Sequence, residues 1–288
     1  MKDLGTKAIN TWCPGCGNFA ILNAIKSTLG SLHDEGLGLE NVVMVSGIGC
    51  HAKIVDYVDV NSFYSLHGRV LPPAEAIKLA NPALTVIGHA GDGDAYGEGL
   101  EHLIFAAKRN INITMIIHNN RVYGLTTGQY TPTSPVGFRG RSTPHGTEER
   151  PLNPLELMLA SGATYIARGT SHGLPLLKKI FKEAILHKGF SIVDVLQVCV
   201  TYYNMYDYYD KRAYELKDHD AADYDKALTK IREWDYNKDS AIPLGVFYKK
   251  EMASFGDTMA DRASGAIPSC CRMTDRRPKI KEVLDDAV

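Results

Sequence analysis

Gly91-Asp92-Gly93-Asp94 precedes the pair Asn119-Asn120 by one helix-like and one strand-like stretch, and these residue types suit one kind of chemistry. A carboxylate and a side-chain amide offer the hard oxygens a small divalent cation prefers, and glycines let the backbone come close to a phosphate. The order of parts is that of a magnesium pyrophosphate site. For the parts to meet, Leu84-Thr85-Val86-Ile87-Gly88 must be a buried strand followed by a tight loop. Residues 97 to 109 must form a helix that turns Leu100, Leu103, Ile104 and Ala107 inward, and residues 111 to 117 the next strand. Such a βαβ unit sets Asp92 and the Asn pair on the carboxyl edge of a parallel sheet, where open α/β sheets hold ligands. A ligand-free Gly-Asp turn and Asn-rich loop is the plain alternative, because Gly-Asp-Gly alone is common in turns. The strand, helix and strand around it favour the site.

The six cysteines make a second pattern. Cys13-Pro14-Gly15-Cys16-Gly17 is a tight knuckle whose glycines free main-chain amides to face sulfur or a metal. Cys50 follows the strand-like Val42-Val43-Met44-Val45, and Cys199 follows Ile192-Val193-Asp194-Val195-Leu196. Four thiols delivered to one sheet edge suit a 4Fe-4S cluster or a structural zinc, and their spacing leaves both open. A redox dithiol at Cys13 and Cys16 explains less, since it gives no work to Cys50 and Cys199. Cys270 and Cys271, adjacent in a polar tail, read as free thiols. The first residues, Met1-Lys2-Asp3-Leu4-Gly5, contain no apolar leader segment, so a reducing cytoplasm without disulfides is expected.

The frame that must position these groups is legible too. A chain of 288 residues can bury a full core in one large α/β unit. Its formal net charge of -1 offers no footprint for nucleic acid or an anionic membrane. Arg139-Gly140-Arg141 and the basic run from 272 to 281 read as solvated loops, the first near the magnesium loop, and no apolar run has the length of a membrane span. Phe19, Ile21, Leu22, Ile25 and Leu29 mark a helix after the knuckle, and residues 174 to 187 another. Strands and helices alternate, which predicts a doubly wound, mainly parallel α/β sheet with helices on both faces. Past Cys199 the pattern changes to the tyrosine-rich 202–209 and a charged stretch. Residues 1 to 199 are therefore expected to form the domain, and residues 200 to 288 an extension over a partner, its tyrosines serving contact or plain packing.

Taken in order, Trp12-Cys13-Pro14-Gly15-Cys16-Gly17, Gly47-Ile48-Gly49-Cys50, Leu66-His67-Gly68-Arg69, Lys78-Leu79-Ala80-Asn81-Pro82, Gly91-Asp92-Gly93-Asp94 and Tyr123-Gly124-Leu125-Thr126 resemble the β subunit of 2-oxoacid:ferredoxin oxidoreductases. The likeness runs over about the first two hundred residues and implies the pyrophosphate-binding fold of thiamin diphosphate enzymes. By it, Cys13, Cys16, Cys50 and Cys199 would bind a 4Fe-4S cluster, and Asp92, Asn120 and the carbonyl of Val122 would ligate Mg2+. Thiamin diphosphate would rest against Gly49, Cys50, His67, Gly91, Asp92, Gly93, Asp94, Asn120, Val122, Tyr123, Gly124, Leu125 and Thr126. His67 and Arg69 would face the cofactor or the substrate carboxylate, with a structural salt bridge as the alternative for Arg69. Lys53 would bring positive charge near the cluster or the acyl acceptor. His51, His89, His102 and His118 read as structural hydrogen-bonding groups.

The implied reaction is the coenzyme A-dependent oxidative decarboxylation of a 2-oxoacid, pyruvate or 2-oxoglutarate, with electrons passing through the cluster to ferredoxin; its reverse is reductive carboxylation. The glutamate beside the aminopyrimidine would come from the pyrimidine-binding domain of an α subunit, because this chain offers a single α/β unit; γ and δ subunits or domains are further candidate partners. Thr127 stands where 2-oxoglutarate-type relatives often carry Lys or Gly, and Glu75-Ala76 where Thr-Gly is common, so substrate choice stays open. The loop from Tyr123 to Ser134 looks closer to the two-subunit 2-oxoacid and 2-oxoglutarate enzymes than to long-chain pyruvate enzymes. Two rivals explain one motif each: a non-oxidative thiamin-dependent decarboxylase subunit needs no cysteine set, and a zinc-stabilised scaffold leaves the Gly-Asp-Gly loop idle.

Overall fold

Runs rich in Val and Ile become central strands when helices cover both faces of the sheet. The computed structural model describes residues 3–262; Cys270, Cys271 and the basic run after them lie outside the described residues. The strands are β1 (Val42–Ser46), β2 (Asn61–Tyr64), β3 (Thr85–Gly91), β4 (Ile113–Asn119), β5 (Tyr165–Thr170), β6 (Phe190–Leu196), β7 (Ala213–Glu215) and β8 (Ile242–Lys249). They form one sheet in the order β2-β1-β3-β4-β6-β5-β8-β7. Every pairing is parallel except β5 with β8. This is the doubly wound, mainly parallel α/β sheet expected from the alternation of elements.

The two-residue period of a strand divides the core between the two faces. Ile113, Met115 and Ile117 of β4 pack on one side with Val86 and Ile192, while Ile116 packs on the other with Ile87 and Val193. The first side is covered by α2 (Leu71–Ala80), α3 (Leu100–Arg109), α4 (Pro154–Ala160) and α6 (Tyr224–Glu233), and the second by α1 (Asn18–Asp34) and α5 (Leu174–Leu186). Among the described residues no helix is long and apolar enough to cross a membrane.

Three local expectations change. Gly88 does not end β3; a Cβ there would stand 2.2 Å from the Met115 sulfur, so the glycine serves the close packing of β3 on β4. In place of a tight loop, Gly93–Glu98 form a π-helical turn, and α3 starts only at Leu100. Such turns break the regular ladder and often mark functional sites. The third change concerns the segment past Cys199, which does not leave the sheet. β8 covers the outer edge of β5 and β7 covers β8, so an edge that would otherwise stay open is paired. Trp234 and Tyr236 join Leu196, Val198 and Tyr209 in a third apolar cluster. The chain moves outward from β1 to β2 and returns to β3 on the other side of β1. The crevice beyond the carboxyl ends of β1 and β3 is thus a topological switch point, the usual ligand position of such sheets.

Candidate cofactor and cluster site

At that crevice lies a cleft open to solvent. Gly49, Cys50, His67, Gly91, Asp92, Gly93, Asp94, Asn120, Val122, Tyr123, Gly124, Leu125 and Thr126 all line it, together with Ile48, His51 and His118. Arg69 lies outside this lining: its guanidinium donates to the main-chain carbonyls of Gly68 and Glu98, at 3.2 and 3.1 Å. It therefore ties the 66–69 turn to the π-helical turn, through carbonyls rather than the carboxylate of a salt bridge.

Asp94 is buried and fixed from four sides. Its carboxylate accepts from the Gly68 amide and stands 3.2 Å from His51 Nε2 and 3.6 Å from His67 Nδ1. A Cβ on Gly47 would sit 1.9 Å from one Asp94 oxygen, so only glycine leaves that carboxylate its place. His67 also lies 3.1 Å from Glu98.

Asp92, 2% exposed, accepts at Oδ2 from the Thr133 hydroxyl at 2.9 Å. Burial pushes its carboxyl up to about 6, because no cation beside it offsets the lost water. The Asn pair splits as strand alternation requires. Asn120 lines the cleft, and its Oδ1 accepts from the Val122 amide at 3.0 Å, keeping a second lone pair for another partner. Asn119 points inward, its Oδ1 2.9 Å from the Thr133 hydroxyl, whose single proton it shares with Asp92, and its amide donates to Asp194 at 3.0 Å. Asp194, fully buried in β6, also accepts from Tyr96 at 2.9 Å and Tyr236 at 2.5 Å and lies 4.0 Å from Arg168. A polar chain thus runs from Asp92 through Thr133 and Asn119 to residues of the C-terminal segment.

His118 lines the cleft and the buried His89 backs it. His118 Nδ1 faces Asn18 Oδ1 at 2.8 Å and His118 Nε2 faces His89 Nδ1 at 3.0 Å, which fixes His118 as donor at Nδ1 and acceptor at Nε2. Burial and the neighbouring His51 push His89 down to about 3 and His118 well below its ordinary value, so both rings stay neutral. Sequence reasoning gave His51 and His118 only a structural part, counted Asn119 with Asn120 at the ion site and gave Asp194 no role. Asp194 had a visible signal, an acid inside an apolar central strand, which burial tolerates only with partners.

The cysteines gather at the same edge. The knuckle closes through Cys16 N to Cys13 O at 3.0 Å and is pinned to the β6 extension by Gly17 N to Val198 O at 3.1 Å. Trp12 Nε1 donates to the Cys50 carbonyl at 2.6 Å, which draws the knuckle onto the β1 end. A Cβ on Gly124 would stand 3.7 Å from the sulfurs of both Cys50 and Cys199, so those sulfurs are no more than twice that distance apart. Burial, reinforced by Cys199, Cys50 and Cys13, pushes the Cys16 thiol up to about 11. Cys50 is raised by burial, then by Cys199 and Cys13, against the opposing charge of Lys53. Lys53 itself donates to Thr11 Oγ1 at 2.5 Å. Of the tyrosines, Tyr206 donates to the Gly15 carbonyl at 2.7 Å and Tyr209 is buried, so both are engaged in packing within the chain, while Tyr202 stays exposed.

The donors fit the implied groups. Asp92 and Asn120 offer oxygen donors for a divalent ion, and an ion there would supply the positive charge that the buried Asp92 lacks. Glycines at 91 and 93 open the floor: a Cβ would stand 2.9 Å from His51 at the first and 2.2 Å from the Tyr123 ring at the second. Among the described residues no three His, Cys, Asp or Glu side chains converge tightly enough to hold a single metal ion. Four thiolate donors at one sheet edge suit a 4Fe-4S cluster, as they would a tetrahedral zinc.

Residues 47–195 match the family model described as thiamine pyrophosphate enzyme, C-terminal TPP binding domain, and residues 199–263 match that for the C-terminal part of the pyruvate ferredoxin oxidoreductase beta subunit. The chain is 43% identical over 269 residues to the 2-oxoacid:ferredoxin oxidoreductase subunit beta of Saccharolobus solfataricus, covering 88% of this chain and 87% of that one. It is 43% identical over 198 residues to the 2-oxoglutarate oxidoreductase subunit KorB of Mycobacterium tuberculosis, covering 69% of this chain and 52% of that one. Among solved structures, the 2-oxoglutarate:ferredoxin oxidoreductase of Magnetococcus marinus, with 2-oxoglutarate, coenzyme A and succinyl-CoA bound, superposes with a TM-score of 0.86 at 31% identity, covering 99% of this chain and 95% of that one. The chain belongs to the β subunits of the 2-oxoacid:ferredoxin oxidoreductases.

Proposed function

We propose that this β subunit holds the diphosphate of thiamin diphosphate, its Mg2+ and a 4Fe-4S cluster. With an α subunit it oxidises a 2-oxoacid, passing the acyl group to coenzyme A and the electrons to ferredoxin. One observation carries the reading: Gly124 lines the cofactor cleft and is also the residue against which Cys50 and Cys199 converge. Electron donor and acceptor would be neighbours across a single glycine. When bound, thiamin diphosphate supplies the electron sink for loss of carbon dioxide, and the cluster accepts electrons singly. Asp92, Asn120 and the Val122 carbonyl would hold the metal. Asp94, fixed by Gly68, His51 and His67, gives the cleft a set shape. Exposed Ile48 and Leu125 line the open cleft, exposed Leu66 precedes the lining residue His67, and these apolar groups suit coverage by the α subunit. The names of the Saccharolobus and Magnetococcus relatives support a 2-oxoacid with coenzyme A as the substrates.

The test is reconstitution with a matching α subunit without oxygen. Ferredoxin reduction should require both a 2-oxoacid and coenzyme A. Carbon dioxide release with no reduction of ferredoxin would instead indicate a non-oxidative decarboxylase.

Thr133 joins Asp92 to Asn119 without touching the cleft, so its hydroxyl should orient the metal carboxylate. Thr133→Val is expected to weaken Mg2+-dependent binding of thiamin diphosphate by about ten- to a hundredfold, the usual cost of losing an outer partner of a metal ligand. Thr133→Ser, which keeps the hydroxyl, should restore it. Calorimetric titration of the two variants reads this directly.

A further inference from the structure

The strand period that divides the core also aims one polar side chain at the cysteines. Val193 and Val195 of β6 pack on the α1 and α5 side, and Gln197 continues that face just past the strand end. Its main chain is still held by β4, the amide donating to the Asn119 carbonyl at 3.0 Å. The side chain is 1% exposed. Its Nε2 stands 3.5 Å from Cys16 Sγ and 2.5 Å from the Val198 carbonyl, and the two amide protons suffice for both. The reverse orientation of the amide would set its oxygen against that carbonyl oxygen, so the nitrogen faces Cys16. A Cβ on Gly17 would stand 3.1 Å from Gln197 Cγ and 2.8 Å from the Val198 amide nitrogen, so a glycine lets the knuckle lie this close.

Anchoring alone does not account for a glutamine here. The Val198 carbonyl already accepts from Gly17 N at 3.1 Å, and Gln197 Oε1 is buried with no hydrogen-bond partner among the described residues. A half-satisfied buried amide costs stability that a leucine of similar size would not. Among the described residues no other side chain hydrogen-bonds a cysteine sulfur. We propose that Gln197, acting through Cys16, is a positioning residue that holds the potential of the cluster less negative. This rests on the cluster reading above and names how that site is tuned. Reduction adds one electron, and part of its charge falls on the thiolate sulfurs. An N–H dipole aimed at one of them, in a buried setting, stabilises the reduced form more than the oxidised one. Each electron enters from oxidation of the 2-oxoacid and leaves to reduce ferredoxin, so the amide eases entry and narrows the drop to ferredoxin.

The experiment is a redox titration of the enzyme assembled with its α subunit without oxygen. The reduced cluster is read by electron paramagnetic resonance in the wild type, Gln197→Leu and Gln197→Met. Both variants lack the donor and differ in shape. The midpoint potential should fall by the same amount in both, up to about a tenfold change in the reduction equilibrium, which is about 59 mV for one electron. Iron content, melting temperature and Mg2+-dependent binding of thiamin diphosphate should stay at wild-type levels. An unchanged or raised potential with iron retained would overturn the proposal, and so would a fall in one variant alone, which would trace to packing. Loss of iron in both would make Gln197 a support of the knuckle and overturn it too. A wild type without iron would refute the cluster reading itself, before any variant is compared.

Discussion

Asp92→Ala should abolish 2-oxoacid oxidation and weaken Mg2+-dependent binding of thiamin diphosphate by at least about a hundredfold, since loss of an outer partner alone costs ten- to a hundredfold. The reason is electrostatic. Asp92 is buried, its carboxyl raised to about 6, and no cation stands beside it. A carboxyl whose folded value is raised opposes folding once the pH exceeds its unfolded value, so near neutrality the metal-free protein carries an uncompensated cost. A bound divalent ion would remove that cost. The same reasoning predicts that metal-free Asp92→Ala melts no lower than the wild type, which a purely structural aspartate would not do. Calorimetry with and without Mg2+ and a thermal scan check both. Wild-type affinity in the variant would contradict the metal assignment.

Cys50→Ser should have an equally large effect by another route. Cys50 begins the turn after β1, its carbonyl held by Trp12, its sulfur near Gly124, and it lines the cleft itself. Serine keeps the size and loses the soft ligand that iron requires. Iron content should drop sharply and ferredoxin reduction should fall to background. Mg2+-dependent binding of thiamin diphosphate should persist, because Asp92 and Asn120 are untouched. If iron content and electron transfer both survive, Cys50 is not a ligand.

Much of the fold and of this site was legible because the pattern is local. Gly-Asp-Gly, the Asn pair, Cys50 and Cys199 each sit at or just past a strand end, and a parallel sheet puts all its carboxyl ends on one edge whatever the strand order. The Cys13-Cys16 knuckle precedes α1 and is drawn there by Gly17 and Trp12. What escaped depends on contacts distant in sequence. Thr133 meets Asp92 and Asn119 only after a long loop folds back, and no periodicity announces that. The place of β8 beside β5 rests on antiparallel pairing across more than seventy residues, so the tyrosine-rich change past Cys199 read as departure from the sheet when it is the start of its far edge. Arg69 looked like a carboxylate clamp by residue type. Its work, holding the carbonyls of Gly68 and Glu98, becomes visible only once the π-helical turn exists.

The central claim joins a thiamin diphosphate site to a cluster on one chain. Its most direct test is the iron, acid-labile sulfide and zinc content of the protein purified without oxygen, with its visible absorption. About four irons and matching sulfide per chain, lost in Cys50→Ser and retained in Asp92→Ala, is the predicted result. Stoichiometric zinc without iron in folded, reconstituted protein would contradict it, because the electron path to ferredoxin would have no first carrier.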